Sequence, residues 1–263
     1  MNRIDRKFNE LRAGRKKAFI AFITAGDPSL PKTVELVLAL EKAGVDIIEL
    51  GVPFSDPLAD GPTIQNASFR ALRKGTTLAK ILAAVNKIRR SSDIPLALMT
   101  YYNPVFHFGE AKFVRAAKAA GVDGLIIPDL PVEEAGELRR AALAADLSTV
   151  FFLAPTTTKE RMPMIVKAST GFIYFLSVAG VTGARTAVPA DLKKNILLAK
   201  KLTNKPICVG FGISTPHQVR SIAGVADGVI VGSAIVKVIE KNSQCGDMVK
   251  RVAAFVKKLT RAV

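Results

Sequence analysis

A short segment recurs along the chain, and each copy stands directly before an apolar run. Ala43-Gly44-Val45-Asp46 and Ala120-Gly121-Val122-Asp123 are identical, and Gly224-Val225-Ala226-Asp227 is a looser third copy. In each copy a glycine can end a helix in a tight turn, and the aspartate then enters an aliphatic strand. The repeat therefore predicts a chain built from recurring units in which a strand follows a helix.

Apolar runs alternate with amphipathic stretches over the whole sequence, and the runs are short enough to be buried parallel strands. Strands are predicted at residues 18–24, 47–50, 95–100, 124–127, 149–153, 172–176, 207–209 and 228–231. Helices are predicted at residues 3–13, 31–43, 64–73, 78–90, 111–120, 132–145, 159–168, 191–201, 216–223 and 248–259.

This alternation favours an α/β protein of parallel strands connected by helices. Because roughly eight such units close a barrel, we predict a single (β/α)8 TIM barrel with an extra N-terminal helix over residues 3–13. An open, doubly wound sheet is the alternative, since periodicity does not show whether the sheet closes. Neither a linker nor a low-complexity segment divides the sequence, so we expect one domain over residues 1–263.

The composition bounds the possible functions. The chain has 263 residues, of which 49% are hydrophobic, and its formal net charge is +16. The basic residues are spread over predicted helix faces with few aromatic residues between them, so they favour solvated surfaces and some attraction for anionic small molecules over nucleic-acid binding. The sequence has no metal-ligand spacing and no apolar run of ~20 residues, so neither a metal site nor a membrane span is expected. Its two cysteines are far apart and its first residues are charged, which predicts a cytoplasmic protein.

The stretch from Glu49 to Pro62 carries the strongest chemical signal. Glu49 lies in an apolar run, where burial is expected to raise its pKa above about 4.3. The loop that follows is stiffened by Pro and Gly residues and carries Asp60. Two carboxylates that reach one pocket from different directions suit acid–base catalysis. The structural alternatives are an ion-paired Glu49 and an Asp60 that caps the helix before Ile64, and the spacing alone does not decide between them.

Two Gly-rich turns follow the last two predicted strands, and each can open a helix. The first contains Gly212, and the second contains Gly232 and Ser233. Glycine lets backbone N–H groups approach an oxyanion, helix N-termini favour negative charge, and TIM barrels commonly bind phosphate at this place. The pair therefore favours a phosphate site over ordinary tight turns. The small, polar segment 180–186 could close over a ligand and bring Gly183 to the phosphate.

Tyr101 and Tyr174 end apolar strands and so offer hydroxyl groups at the end of the predicted barrel where the two Gly-rich turns also lie. A core ring is an equally good interpretation of Tyr101. A slot for a flat ring could be lined by Phe22, Ile64, Tyr101, Ile126, Phe211 and Ile230. The sequence lacks a dinucleotide fingerprint, a P-loop and a nucleophile elbow. No lysine at a predicted strand end suits a Schiff base, which disfavours that class of aldolase.

The run from Glu49 to Asn66 resembles the signature segment of the alpha chains of tryptophan synthase. Further segments match that family in the same order, at residues 22–28, 180–183, 210–214 and 232–236. Together they span nearly the whole chain, and a match of this length is far more specific than a short glycine pattern.

The resemblance implies a lyase of tryptophan biosynthesis that cleaves indole-3-glycerol phosphate to indole and glyceraldehyde 3-phosphate in a retro-aldol reaction. It implies Glu49 as the principal acid–base group, Asp60 as the carboxylate that stabilises the indole N–H, and Tyr174 as an assisting hydroxyl. The phosphate ligands that it implies are Gly183, Gly212, Gly232 and Ser233.

The resemblance also implies a partner. Alpha chains of the family form α2β2 heterotetramers with a beta chain, which uses pyridoxal phosphate to join indole to serine, while the alpha chain itself needs no cofactor. The loops that face the beta chain in relatives correspond here to Pro53, Asp56, Asn103 and Asp129. Two rivals remain: another phosphate-binding barrel lyase or isomerase, and a non-catalytic activator of a beta chain. Glu49 and Asp60, present together, argue against both.

Overall fold

A computed structural model describes residues 1–177, 190–210 and 212–263. Within these ranges its strands are β1 (Ala18–Thr24), β2 (Ile47–Gly51), β3 (Leu96–Met99), β4 (Gly124–Ile126), β5 (Ser148–Val150), β6 (Phe152–Leu153), β7 (Ile173–Leu176), β8 (Ile207–Gly210) and β9 (Gly228–Val231). The helices are α1 (Arg3–Ala13), α2 (Leu30–Lys42), α3 (Pro62–Arg73), α4 (Leu78–Arg89), α5 (Tyr102–Phe108), α6 (Glu110–Ala120), α7 (Gly136–Ala144), α8 (Met162–Ala168), α9 (Ala190–Leu202), α10 (Pro216–Ala223), α11 (Ser233–Asn242) and α12 (Met248–Thr260).

All neighbouring strands are parallel, in the order β5-β4-β3-β2-β1-β9-β8-β7-β6. The outer strands of that order, β5 and β6, are separated in the chain by Phe151 alone. The sheet therefore curls into a nearly closed barrel, in which β5 and β6 together occupy the place of the predicted strand 149–153. The predicted (β/α) barrel is confirmed, and the open-sheet alternative is wrong.

The predicted N-terminal helix α1 covers the end of the barrel at which the strands begin. Ile4 and Phe8 are buried and pack in one cluster with interior residues of the barrel, including Phe172. The rings of Phe8 and Phe172 lie 5.8 Å apart between centroids. Asn2 caps the helix and donates to the carbonyl of Asp123, so α1 is tied to this end of the barrel, hereafter the floor. The opposite end, where the strands finish, is the mouth and stays free for a site.

The recurring aspartates brace the floor. Each forms a pair of hydrogen bonds with a residue of the neighbouring strand: Asp46 with Phe19, Asp123 with Leu96, and Asp227 with Ile207. In every pair the aspartate N–H donates to the partner's carbonyl at 2.8–2.9 Å, and its Oδ2 accepts from the partner's N–H at 2.8–3.1 Å. The repeat found in the sequence is thus a device that fixes the register of strand starts.

Three helices differ from the prediction. The predicted helix 159–168 begins only at Met162, as α8. The predicted helix 132–145 is shorter, because residues 132–135 form turns and α7 begins only at Gly136. Helix α5 was not predicted, since its seven residues carry an internal proline and are too short for a clear period. The start of α11 at Ser233 agrees with the suggestion that the last Gly-rich turn opens a helix.

Candidate active site

Glu49 is the central residue of β2, and its side chain is fully buried. Its neighbours in register are Phe22 on β1 and Ala97 on β3, so the carboxyl group stands among apolar side chains. Within the described ranges neither carboxyl oxygen has a hydrogen-bond partner. Burial raises the pKa of Glu49 to about 8, because no neighbouring charge offsets its desolvation. Glu49 is therefore protonated at neutral pH, and no ion pair with the described residues accounts for it.

Asp60 lies on the loop between β2 and α3 and is partly buried. Its Oδ2 accepts a hydrogen bond of 3.1 Å from the hydroxyl of Tyr101, which in turn accepts one of 2.9 Å from the N–H of Ala59. Burial raises the pKa of Asp60 to about 6, and the Tyr101 hydrogen bond opposes that rise. Asp60 does not cap α3, because the N-cap residue is Gly61. The capping alternative for Asp60 is thus wrong.

The loop holds Asp60 through several contacts. The ring of Phe54 stacks on Tyr101 at 5.2 Å between centroids. The N–H of Asp60 donates to the carbonyl of Pro57, and the side-chain amide of Gln65 donates to the carbonyl of Asp60 at 2.9 Å. These contacts fix the backbone on both sides of the carboxylate, so Asp60 faces the mouth from a braced position.

Tyr174 on β7 is buried beside the site. Burial raises the pKa of its hydroxyl well above its usual value, and the nearby carboxyl of Glu49 raises it further. A Cβ atom at Gly210 would overlap the hydroxyl and ring of Tyr174, so glycine is required there for the ring to lie against β8. The Tyr174 hydroxyl therefore remains a neutral donor or acceptor near Glu49.

A narrow cleft, hereafter the pocket, lies at the mouth; its lining includes Gly51, two residues beyond Glu49 on β2, but not Glu49 itself. Of the predicted ring-binding residues, it brings together Phe22, Ile64 and Tyr101, with Asp60 at the same wall. Ile126 and Ile230 instead belong to the interior cluster that contains Tyr174, and so lie outside this pocket's lining. Phe211 lies outside the described residues.

Sequence reasoning missed other residues of the pocket wall. They are Thr24, Ser68, Met99 and Thr100, together with Gly51, Val52 and Pro128. Thr24 ends β1, and Met99 ends β3 with Thr100 next in the chain, so the rule that barrel sites lie at strand ends could have found these three. Ser68 lies on α3 one turn after the predicted Ile64, so the i, i+4 spacing of a helix could have found it as well.

The two Gly-rich turns precede helices with different N-termini. At α10, Thr215 and Gln218 form a capping box, and Gln218 also accepts from the N–H of Ser214. At α11, the N-cap Gly232 has no side chain and makes no side-chain cap, and Ser233 is the first helical residue. Among the described residues, α11 thus offers the N–H groups of Ser233 and Ala234 to an anion, since Ile235 and Val236 already donate to the carbonyl of Gly232. At α10 the side-chain cap already occupies the N–H of Gln218.

Gly212 adopts a φ of 74°, a left-handed conformation that favours glycine, and it is exposed at the mouth beyond β8. The other predicted phosphate ligand, Gly183, lies outside the described residues, as does the whole segment 180–186 that could close over a ligand. The described part of the predicted phosphate site therefore consists of Gly212, Gly232 and Ser233.

The predicted partner-facing residues lie on loops and a helix around the same mouth. Asp56, Asn103 and Asp129 are exposed, whereas Pro53 is buried beneath its loop. Leu58 and Phe106, which sequence reasoning did not single out, are apolar and expose 94% and 70% of their surface. The mouth thus presents large apolar side chains beside the predicted polar ones.

The described residues contain no group of three or more His, Cys, Asp or Glu side chains suited to a metal ion. Among the described helices, none is long and apolar enough to cross a membrane.

Known proteins resemble the chain in sequence and in structure. The family model described as "Tryptophan synthase alpha chain" matches residues 8–263. A tryptophan synthase alpha chain from Geotalea daltonii is 54% identical over 243 residues, which is 92% of each chain. A crystal structure of tryptophan synthase subunit alpha from Legionella pneumophila has a TM-score of 0.92 at 39% identity, and the alignment covers 100% of this chain and 98% of that one. A tryptophan synthase α2β2 complex from Pyrococcus furiosus, described in terms of mutual activation, gives a TM-score of 0.87 at 41% identity, over 92% of this chain and 97% of that one.

Proposed function

The chain belongs to the tryptophan synthase alpha chain family, and from this premise we propose that Glu49, Asp60 and Tyr174 perform its reaction at the mouth of the barrel. The alpha subunit is a lyase: it cleaves indole-3-glycerol phosphate to indole and glyceraldehyde 3-phosphate. The observation that carries the assignment of residues is Glu49, a fully buried carboxyl group with a raised pKa and no partner in the described ranges. Buried carboxyl groups with strongly raised pKa values occur at catalytic sites, where they donate and accept protons near neutral pH.

Glu49 can serve both proton transfers in turn. Protonated at neutral pH, it donates to C3 of the indole, which makes the ring nitrogen cationic. Its carboxylate then accepts the proton of the side-chain hydroxyl as the bond between C3 and the side chain breaks. The electrons of that bond return to the ring, the hydroxyl carbon becomes an aldehyde, and Glu49 ends protonated as it began.

Asp60 stabilises the charge that this sequence creates. With a pKa of about 6, it is mostly a carboxylate at neutral pH and can accept a hydrogen bond from the ring N–H. Partial burial strengthens its attraction for the cationic nitrogen, because fewer water molecules screen the pair. Tyr174, buried beside Glu49, assists as a neutral hydroxyl that orients the reacting side chain.

The phosphate end of the substrate is held by Gly212, Gly232 and Ser233, together with Gly183. The open N-terminus of α11 supports this assignment, since its N–H groups and helix dipole favour an anion. The indole ring lies between Phe22, Ile64 and Tyr101. Ile126, Phe211 and Ile230 complete the apolar surroundings in this proposal.

The partner is a tryptophan synthase beta chain in an α2β2 assembly, which would use pyridoxal phosphate to join the released indole to serine. Asp56, Asn103 and Asp129 at the mouth, with the loop of Pro53, form the contact surface, and the exposed side chains of Leu58 and Phe106 supply its apolar part. This chain itself is proposed to need no cofactor.

The same proposal includes a single domain over residues 1–263 and a cytoplasmic location. One parallel sheet that runs through the described ranges supports the single domain. Both cysteines are free, which fits a reducing compartment.

The test is an assay of indole release from indole-3-glycerol phosphate by the parent chain and by Glu49→Gln, each with and without a beta chain. The parent is expected to release indole and Glu49→Gln to release almost none, while both bind glycerol phosphate. Glu133→Gln, which changes an exposed carboxylate paired with Arg161, is the matched control and should retain activity. If the beta chain is stimulated while the parent releases no indole in either state, the chain is an activator and the catalytic assignment is wrong.

A further inference from the structure

Arg70 joins three elements around the mouth. From α3, its Nε and Nη2 donate to the two carboxylate oxygens of Asp27, both at 2.9 Å. Its Nη1 donates to Glu240 on α11 at 2.6 Å. Asp27, on the loop after β1, is 1% exposed, and a two-bond fork between arginine and carboxylate fixes orientation as well as distance. One guanidinium therefore sets how α3, the β1 loop and α11 lie relative to one another.

The α3 side of this contact leads to Asp60. Helix α3 begins at Pro62, directly after the Gly61 cap, and the side chain of Gln65 donates to the carbonyl of Asp60. Ile64 and Ser68 of the same helix line the pocket. A displacement of α3 would therefore move the proposed ring-nitrogen carboxylate together with one wall of the pocket.

The α11 side leads to the proposed phosphate site. Glu240 lies in the last turn of α11, whose first residue is Ser233. Helices α3 and α11 also meet over the ring of Phe22, where Ala67 and Val236 are both fully buried. Because a helix of this length is rigid, the position of Glu240 fixes the position of the helix N-terminus.

We propose that Arg70 is a positioning residue that sets the spacing between the two ends of the substrate, the ring nitrogen at Asp60 and the phosphate at the N-terminus of α11. The inference rests on the proposed function, because it needs both ends of the site. Arg70 contacts neither end itself. It holds α3 and α11 at the separation at which one molecule reaches Asp60, Glu49 and Ser233 together.

The test separates the two halves of the substrate. In Arg70→Gln, indole alone and glycerol 3-phosphate alone are expected to bind within about twofold of the parent, because each contacts one helix. With intact indole-3-glycerol phosphate, kcat is expected to fall by about 10- to 100-fold, since a misplacement of about 1 Å at a reacting centre has an effect of this size. Arg70→Lys keeps the charge without the fork and should recover part of kcat.

Removing Arg70 leaves the buried carboxylate of Asp27 without its partner, so the double variant Asp27→Asn with Arg70→Gln is measured beside the single one. Glu240→Gln breaks only the α11 arm and should reduce kcat less than Arg70→Gln. Arg161→Gln is the matched control. The Nε and Nη2 of Arg161 form a two-bond fork with Glu133, both at 2.8 Å, outside the pocket lining, so its loss should leave kcat unchanged.

Two results would overturn the inference. In the first, the folded variants cleave the intact substrate as fast as the parent. In the second, the affinities of the variant for indole and for glycerol 3-phosphate fall in proportion to kcat. That result would indicate a general loosening of the structure instead of an altered spacing. A failure of the proposed function looks different, because then the parent itself releases no indole or Glu49→Gln remains active.

Discussion

Carboxylates lie at both ends of this barrel, but their surroundings differ. At the floor, Asp123 is 2% exposed and fully partnered: it accepts from the N–H of Leu96, from Arg89 at 2.8 Å and from Arg3 at 3.1 Å. Asp227 accepts from the N–H of Ile207 and forms ion pairs with Lys17 and Lys200.

At the mouth, Glu49 is as deeply buried as Asp123 and has no partner in the described ranges. The consequence is visible in the pKa values. Burial raises the pKa of Glu49 to about 8, whereas the pKa of Asp227 is lowered: its hydrogen bonds and lysines outweigh the effect of burial.

The difference is consistent with the proposed division between structural carboxylates at the floor and a catalytic carboxyl group at the mouth. A buried carboxylate with a backbone N–H and a cation stabilises the chain and has no reason to exchange protons at neutral pH. A buried carboxyl group without partners destabilises its charged form, and this is what a residue that donates and then accepts a proton requires. Burial alone does not distinguish a structural carboxyl group from a catalytic one, whereas its hydrogen-bond and ion-pair partners do.

The largest expected effect tests the catalytic side of the comparison. Glu49→Gln keeps the shape of the side chain and removes its proton exchange, so kcat for indole formation should fall by on the order of 10² to 10⁴, the usual share of a general acid–base group. Steady-state indole release in the presence of a beta chain measures it. A residual kcat within about tenfold of the parent would remove Glu49 from the proton transfers.

The next effect tests the structural side. Asp123→Asn removes the charge opposite Arg89, which is 10% exposed, and should lower the free energy of unfolding by about 3–5 kcal/mol with little change in kcat of the folded fraction. Urea denaturation measures the loss. In the control Asp247→Asn, the broken ion pair is half exposed, and the change should stay below about 1 kcal/mol. Equal losses in both variants would contradict the distinction between buried and exposed pairs.

The floor was the easier part to predict from sequence. The recurring Gly and Asp positions indicated strand starts directly, and Gly44 and Gly121 have the positive φ that a tight turn after a helix requires. The strand limits followed from apolar runs, because parallel strands buried on both faces show continuous rather than alternating apolar residues.

The mouth was predicted only in part. Glu49 was found because a charge in an apolar strand is conspicuous, and Asp60 because Pro and Gly surround it. The sequence left open whether Glu49 is paired and whether Asp60 caps a helix, since both depend on partners distant in sequence: Tyr101 is 41 residues from Asp60. For the same reason Arg70 was not noticed, because its partners lie 43 and 170 residues away.

A third prediction uses the dependence of stability on pH. The pKa of Glu49 is raised from an ordinary 4.5 to about 8, so between these values the folded chain binds more protons than the unfolded one. The contribution of Glu49 to the free energy of unfolding is therefore fully present below pH 4.5. It is lost as pH rises toward 8, by about 1.4 kcal/mol per pH unit.

Glu49→Gln cannot lose a proton there, so its free energy of unfolding should exceed that of the parent by a margin that grows from pH 5 to pH 8 and vanishes near pH 4. Urea denaturation at four pH values measures the margin. A margin that does not change with pH would mean that Glu49 is ionised in the folded chain, which would contradict its role as a proton donor.

The smallest effect concerns Asp60, which is intermediate between the two kinds of carboxylate. It is only partly buried and has one partner, Tyr101, so its pKa of about 6 lies below that of Glu49. In the proposed mechanism the carboxylate form of Asp60 meets the ring nitrogen, so kcat should rise with pH through about 6. Asp60→Asn should reduce kcat by roughly 10²-fold and abolish that rise. Tyr101→Phe removes the hydrogen bond that lowers the pKa of Asp60, so the rise of kcat should move to higher pH while the maximal kcat changes less.

The measurement is the pH profile of kcat for the parent, Asp60→Asn and Tyr101→Phe with a beta chain present. If the acid limb stays unchanged in Asp60→Asn, that limb belongs to another group, and Asp60 would have to be counted with the structural carboxylates.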